Sequence, residues 1–390
     1  MKPIAKVLLV VCALGAILLG SAACFVACAV SRISSHGGSM HSGIEASRVE
    51  THEIAFDPGQ PLRAQVDCGS IRVASSSGTK AQVVAHLRAF APEKEDAEKR
   101  LAGMQLDLGQ NSVTGRGSSG NGMQLFGSGG SEEIDLELTL PAGTRLEIQS
   151  SSGDVEIRGA FGDTRAGTEY GHVRASGIRG ELQVKSSSGD LSVEEIQGGR
   201  VGMDTDYGDI AVRGVKASRV EAHTSSGGIE ASGIEAQGVR LSSDYGDIAV
   251  RELQGDLDSK TSSGSVSIVE AKGGCRAHSD YGDVSAAGTF RELALSSSSG
   301  SVHGRAASGS SLGEGWEIRS DYGDVQLDLP AGLSFDLDAS TDYGEVAADL
   351  PGVLGGSKGD ETHRLHGAVG SGGPKVRLHS SSGDVSIRSR

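Results

Sequence analysis

Apolar residues recur two positions apart in short bursts, and the bursts themselves return about every 18 residues along the chain. Leu146/Ile148, Leu182/Val184, Val201/Met203, Val239/Leu241, Trp316/Ile318 and Val376/Leu378 stand before glycine-centred turns. Val155/Ile157, Leu191/Val193, Ile210/Val212, Ile248/Val250, Val266/Ile268 and Val385/Ile387 follow such turns, with polar residues between. Period-two alternation of β-branched residues, bounded by Ser, Gly and Asp, predicts half-buried strands. Each unit therefore reads as two short strands around a turn. A unit this small cannot bury its apolar face alone, so successive units must stack.

The turn glycines are Gly153, Gly171, Gly189, Gly208, Gly227, Gly246, Gly264, Gly282, Gly300, Gly323, Gly344 and Gly383. Their spacing is 18 or 19 residues up to Gly300 and then lengthens to 23, 21 and 39. Three residues before each stands a hydroxyl: Ser150, Thr168, Ser186, Thr205, Thr224, Ser243, Thr261, Ser279, Ser297, Ser320, Thr341 and Ser380. Alternation points these inward with the apolar residues. The expectation is a buried ladder in which each hydroxyl donates to the next.

All six tyrosines, Tyr170, Tyr207, Tyr245, Tyr281, Tyr322 and Tyr343, immediately precede a turn glycine. Ser152, Ser188, Ser226, Ser263 and Ser299 fill the same slot one unit away. Coils of one repeat stack about 4.8 Å apart, too close for a phenol on every coil, so a serine between tyrosines doubles the spacing. A coil of 37 residues with four strands would instead stack tyrosine on tyrosine. The fold expected is all-β: a single-chain β-solenoid, β-helix-like, of 18–19-residue coils at residues 141–390, with an insertion at 352–373. Residues 49–140 read as a β-rich N-terminal cap. Strands are expected at Ala64–Val66, Ile71–Ala74, Ala81–Arg88 and Ile134–Leu140, with an amphipathic helix at about 92–104 carrying Ala97, Leu101 and Met104 on one face.

The phrase Leu140-Pro-Ala-Gly-Thr-Arg-Leu-Glu-Ile, then Ser-Ser-Ser-Gly-Asp-Val-Glu-Ile, resembles the bacterial putative-adhesin β-repeat family, domain of unknown function 4097. Leu329-Pro-Ala-Gly-Leu ahead of Asp342-Tyr-Gly-Glu echoes it, and the likeness covers roughly residues 60–390. The resemblance implies an exported β-repeat domain and brings no catalytic residues or cofactor with it.

Residues 7–30 carry no charge and follow Lys2 and Lys6. That length spans a bilayer. Three readings of residues 1–30 stay open: an uncleaved membrane anchor, a secretion signal cleaved near Ala27-Cys28-Ala29, or lipidation at Cys24. Each places residues 31–390 outside the cytoplasm, on the cell envelope or secreted, with 31–48 as a tether. Cys68 and Cys275, many coils apart, are expected to be free thiols. The net charge of −15 repels nucleic acid and anionic lipid surfaces.

Candidate chemistry is sparse. Gly309-Ser-Ser-Leu-Gly313 fits a nucleophile elbow, but no helix follows it. Gly115-Arg-Gly-Ser-Ser-Gly120 fits a dinucleotide fingerprint but lies in the Gly/Ser-rich loop 111–130. His363 and His366 sit in the insertion. The carboxylates beside the tyrosines, Asp206/Asp209, Asp244/Asp247 and Asp280/Asp283 among them, offer two roles: calcium ligation along one edge, or capping of turn N–H groups. The nonapeptide pattern of calcium-binding β-rolls is missing, which favours capping. No repeat carries chemistry that the others lack, so the chain reads as a non-enzymatic adhesin or surface scaffold whose tyrosine ridge meets a cell-surface glycan or another envelope protein. Self-association through the solenoid ends belongs to the same reading. The rival functions are an envelope-stress sensor working through a membrane partner, and a polysaccharide-acting β-helix enzyme.

Overall fold

The computed structural model describes residues 43–118, 130–350 and 363–390. The export segment with Cys24, most of the tether, the centre of the Gly/Ser-rich loop and the first half of the insertion lie outside the described residues. Strands wind into a β-solenoid. Thr164–Thr168 lies parallel between Leu146–Ser150 and Leu182–Ser186, and Val173–Ser176 between Val155–Arg158 and Leu191–Glu194. Partners are thus one repeat apart in sequence, which fixes one coil per repeat and rules out the longer coil.

Each coil turns at a glycine tip and again at a second corner. Between Ile210 and Ser297 the strands flanking that second corner fuse into continuous strands such as Ile210–Thr224, Ile229–Ser243 and Ile248–Thr261. The corner requires the left-handed backbone region: Gly214 and Gly233 have φ of 61° and 63°, and Glu195, Glu252 and Glu270 occupy the same column at 55°, 53° and 58°. The interior is filled by a few aliphatics from each coil, including Val155, Ile157, Val193, Val212, Ile229 and Val250, none accessible to solvent. Side chains of this size each contribute about 1.5–3 kcal/mol when buried. A narrow stack therefore reaches stability by repetition instead of by core thickness.

Both ends of the stack depart from chain order. The tip glycines follow the sequence from Gly153 to Gly323, but Gly383 comes next and Gly344 lies beyond it. Lys375–Ser380 is parallel to Trp316–Ser320 on one side and to Phe335–Thr341 on the other. Val385–Ser389 is likewise held between Val325–Leu329 and Val346–Asp349. The chain skips a rung after Leu329, builds the outer rung, and returns to fill the gap. This explains the last two glycine intervals, whereas the 23 residues from Gly300 to Gly323 reflect the longer connection between Val302–Ala306 and Trp316–Ser320. From the second half of the insertion, Arg364–Val369 lies antiparallel on Phe335–Thr341.

At the other end, Leu62–Cys68 and Ile71–Ser76 pair in parallel with Leu146–Ser152 and Val155–Arg158. Residues 62–76 are therefore the first rung of the stack, not part of its cap. Their far edges are covered by Ser112–Arg116 and Ser131–Pro141. Ser131–Pro141, Ala81–Ala91 and Ile44–Ile54 then form an antiparallel flap. Ile44–Ile54 begins inside the stretch read as tether, because as an edge strand it buries only Ala46 and Ile54 deeply and is otherwise mostly polar. The helix runs Lys94–Gly103 and packs Ala97 and Leu101 against the flap. Glu95 and Asp96 in its first turn and Arg100 in its last suit the helix dipole.

Candidate functional site

The inward hydroxyls are bonded differently from the expected ladder. Thr168 Oγ1 donates to the Gly153 carbonyl at 2.9 Å, Ser243 Oγ to Gly227 at 2.8 Å, and Ser279 Oγ to Gly264 at 2.7 Å. Every tip from Ser150 to Thr341 repeats the pattern: the acceptor is the turn glycine of the neighbouring rung, not another hydroxyl. The correction follows from distance. Hydroxyls a rung apart are about 4.8 Å from each other, beyond hydrogen-bond reach, whereas the glycine carbonyl projects into the gap. From Gly227 onwards the hydroxyl also accepts from the N–H of its own turn glycine, as Ser279 does from Gly282 at 2.8 Å. One hydroxyl thus ties two rungs.

The glycines themselves are in contact. A Cβ added to Gly171, Gly189, Gly246 or Gly300 would overlap the carbonyl oxygen of the turn glycine one rung before. Backbone bonds carry the ladder through the tips: Tyr207 N–H donates to Ser187 O at 3.0 Å, Ser226 to Asp206 at 3.0 Å, and Tyr245 to Ser225 at 3.1 Å. The tip side chains are therefore set at rung spacing by the main chain.

On this frame all six tyrosines face outward, with exposures of 57% at Tyr170 to 84% at Tyr343. Ser188, Ser226, Ser263, Ser299 and Ser382 are exposed between them. In sequence the alternation fails at its end, where Tyr343 follows Tyr322 directly. In space it holds, because Ser382 takes the intervening rung: its N–H donates to Asp321 O at 3.0 Å, and Tyr343 N–H donates to Ser381 O at 3.1 Å. At the other end Cys68 lies opposite Ser152 and continues the column. Its context, Asp67-Cys68-Gly69-Ser70 ahead of Ile71 and Val73, carries the tip signal that a search for tyrosine overlooks.

The carboxylates after the glycines cap backbone. Asp209 Oδ1 accepts from Gly228 N–H at 2.8 Å, Asp247 from Ser265 at 2.7 Å, and Asp283 from Ser301 at 2.8 Å. Asp190, adjacent to Asp209, is held by the Asp209 N–H at 3.0 Å, which accounts for two neighbouring aspartates on successive rungs. Asp206 and Asp244, before their tyrosines, are exposed. Asp280 meets His278 Nε2 at 2.9 Å, and that bond holds its carboxyl below the usual range. Among the described residues no three acidic, histidine or cysteine side chains converge on a point that would hold a metal ion.

Other candidates resolve into structure. The Gly309–Gly313 segment is a turn in which Ser310 Oγ accepts from Phe290 N–H at 3.0 Å. A polar groove runs along one flank past Arg145, Glu147, Arg165, Lys185 and Arg200, but its charges pair from rung to rung, with Arg63–Glu147 at 2.6 Å and Lys185–Asp204 at 3.0 Å. Cys68 and Cys275 are both free. Burial pushes the Cys275 thiol up to about 12.

A family model described as Toastrack DUF4097 matches residues 65–388. Among solved structures, the chain is similar to a putative adhesin from Bacteroides fragilis NCTC 9343, 12% identical over 88% of this chain and 97% of that one, with a TM-score of 0.29. It is also similar to a putative cell adhesion protein from Clostridium sporogenes ATCC 15579, 11% identical over 88% of this chain and 100% of that one, with a TM-score of 0.17. No curated protein matches the chain.

Proposed function

The chain belongs to the Toastrack DUF4097 family, and from that premise we propose that it is a non-enzymatic, envelope-anchored repeat protein whose tyrosine edge is an adhesive or scaffolding surface. The observation that carries this reading is the row of six exposed tyrosines set by main-chain bonds along one edge. Exposed aromatics on a rigid frame give contact area at little cost in conformational entropy. Replicated weak contacts along one rigid body add up to avidity that no single tip could supply. Anchorage rests on the uncharged stretch 7–30.

Replacing the six tyrosines by serine tests the ridge, since serine already occupies the same slot on alternate rungs. The full-length variant is expected to keep its melting temperature and lose attachment to cells or wall polymers. Attachment unchanged by the replacement would remove the ridge from function.

A further inference from the structure

The tyrosines have a period as well as an exposure. Each pair of successive rings is separated by one serine rung, so the rings recur at about 9.6 Å, twice the inter-strand spacing. Repeat duplication alone does not account for this period. The rungs of Tyr322 and Tyr343 are neighbours in sequence, yet the chain returns from 39 residues further on to place Ser382 between them. The alternation is thus a property of the assembled edge.

A ligand that uses such an edge fully must repeat with the same period. In a β-1,4-linked glycan each pyranose is rotated by half a turn relative to its neighbour, so every second sugar presents the same face in the same direction. Its disaccharide unit is close in length to two rungs. The C–H-rich face of a pyranose stacks on an aromatic ring, while its rim of hydroxyls seeks acceptors. Each ring from Tyr207 onwards follows an aspartate, and Asp206 and Asp244 are exposed to accept from such hydroxyls. The same carboxylates, on a chain of net charge −15, disfavour an anionic polymer. An aromatic beside a carboxylate also suits a cation, and a peptide in the polyproline II conformation repeats about every 9.3 Å, so a cationic peptide is the rival that the titration includes.

Resting on the ridge reading above, we infer that the edge binds a neutral β-1,4-linked glycan lengthwise, one disaccharide to each tyrosine, with the serine rungs leaving room for the inverted sugar. The ring, not its hydroxyl, provides the contact.

The test is calorimetric titration of the full chain with cello- and chito-oligosaccharides of increasing length, beside malto-oligosaccharides (α-1,4), laminari-oligosaccharides (β-1,3) and polylysine. Affinity for the β-1,4 series is expected to rise about three- to tenfold with each added disaccharide, and to level off once the ligand spans the tyrosines. Tyr245→Phe should retain the series and the six-fold serine variant should lose it. Binding of the β-1,4 series without length dependence, or equal binding of the α-1,4 series, overturns the inference. So does tyrosine-dependent attachment to cells with no oligosaccharide binding, or with binding of polylysine in its place; either result leaves the ridge itself standing. Attachment that survives loss of all six tyrosines overturns both readings.

Discussion

The hydroxyl of Thr341 donates to the carbonyl of Gly383 at 2.8 Å, joining residues 42 positions apart in the chain. From Thr168 to Ser297 the same bond spans only 15 or 16 positions, so the rung that closes the stack is built like those within it although it arrives out of order.

That order has a consequence for stability. A chain ending at residue 374 lacks Lys375–Ser380 and Val385–Ser389, the parallel partners of Phe335–Thr341 and Val346–Asp349. Phe335–Thr341 would keep only antiparallel Arg364–Val369, and an isolated two-stranded hairpin is marginal in water. Hydrogen exchange should show the 335–349 amides unprotected in the truncated chain, while Ile248–Thr261 stays protected.

Glycines of the stack are replaceable only where no backbone lies over them. Gly246→Ala drives a methyl into the Gly227 carbonyl and is expected to cost on the order of 4 kcal/mol. Gly238, which has nothing within 4 Å of the added carbon and no left-handed φ, should gain up to about 1 kcal/mol as alanine. Urea unfolding of the two variants makes the comparison.

Two hydroxyls in adjacent inward positions should respond in opposite directions. Thr261 donates to Gly246 O at 2.8 Å and accepts from Gly264 N–H at 3.2 Å, so Thr261→Val is expected to destabilise by about 1–3 kcal/mol. Ser259 is 1% exposed, lies in register between Leu241 and Ala277, and its hydroxyl has no partner among the described residues. Ser259→Ala removes an unsatisfied group and should raise the melting temperature.

These contrasts also separate what the sequence makes legible from what it hides. The strands, the short coil and the inward direction of Thr261 follow from local alternation, because a residue's face depends only on its position along its own strand. The acceptor of that hydroxyl depends on where the next rung's carbonyl points, which no local pattern records. Ser382 was hidden for a related reason: pairing between parallel strands is chosen in space, and its traces in the chain are indirect, a lengthened glycine interval and Tyr343 following Tyr322 without a serine. Of the ridge, every tyrosine and its exposure could be read; its unbroken period could not.

Acid should weaken the closing rungs. Asp328 is 2% exposed and meets Arg390 at 3.2 Å, His303 at 3.4 Å and Arg305 at 3.6 Å. Burial pushes its carboxyl up, but hydrogen bonds from Gln326 and His303 and the charges of Arg390 and His303 outweigh that and hold it below the ordinary range. A carboxylate depressed in the folded state stabilises fully above its unfolded pKa of about 3.9. That contribution is lost as pH falls through the folded value. Urea midpoints followed from neutral to acid pH should drop more steeply for the native chain than for Asp328→Asn, which starts lower and runs flatter.

The serine rung between each pair of tyrosines also constrains how such a gene can grow. Unequal exchange that added one coil would set two phenols, or two serines, side by side and shift every later ring out of phase. Adding or losing coils two at a time leaves the phase intact. Homologues of different size should therefore differ by whole tyrosine–serine pairs within the array, and their lengths should step by double repeats.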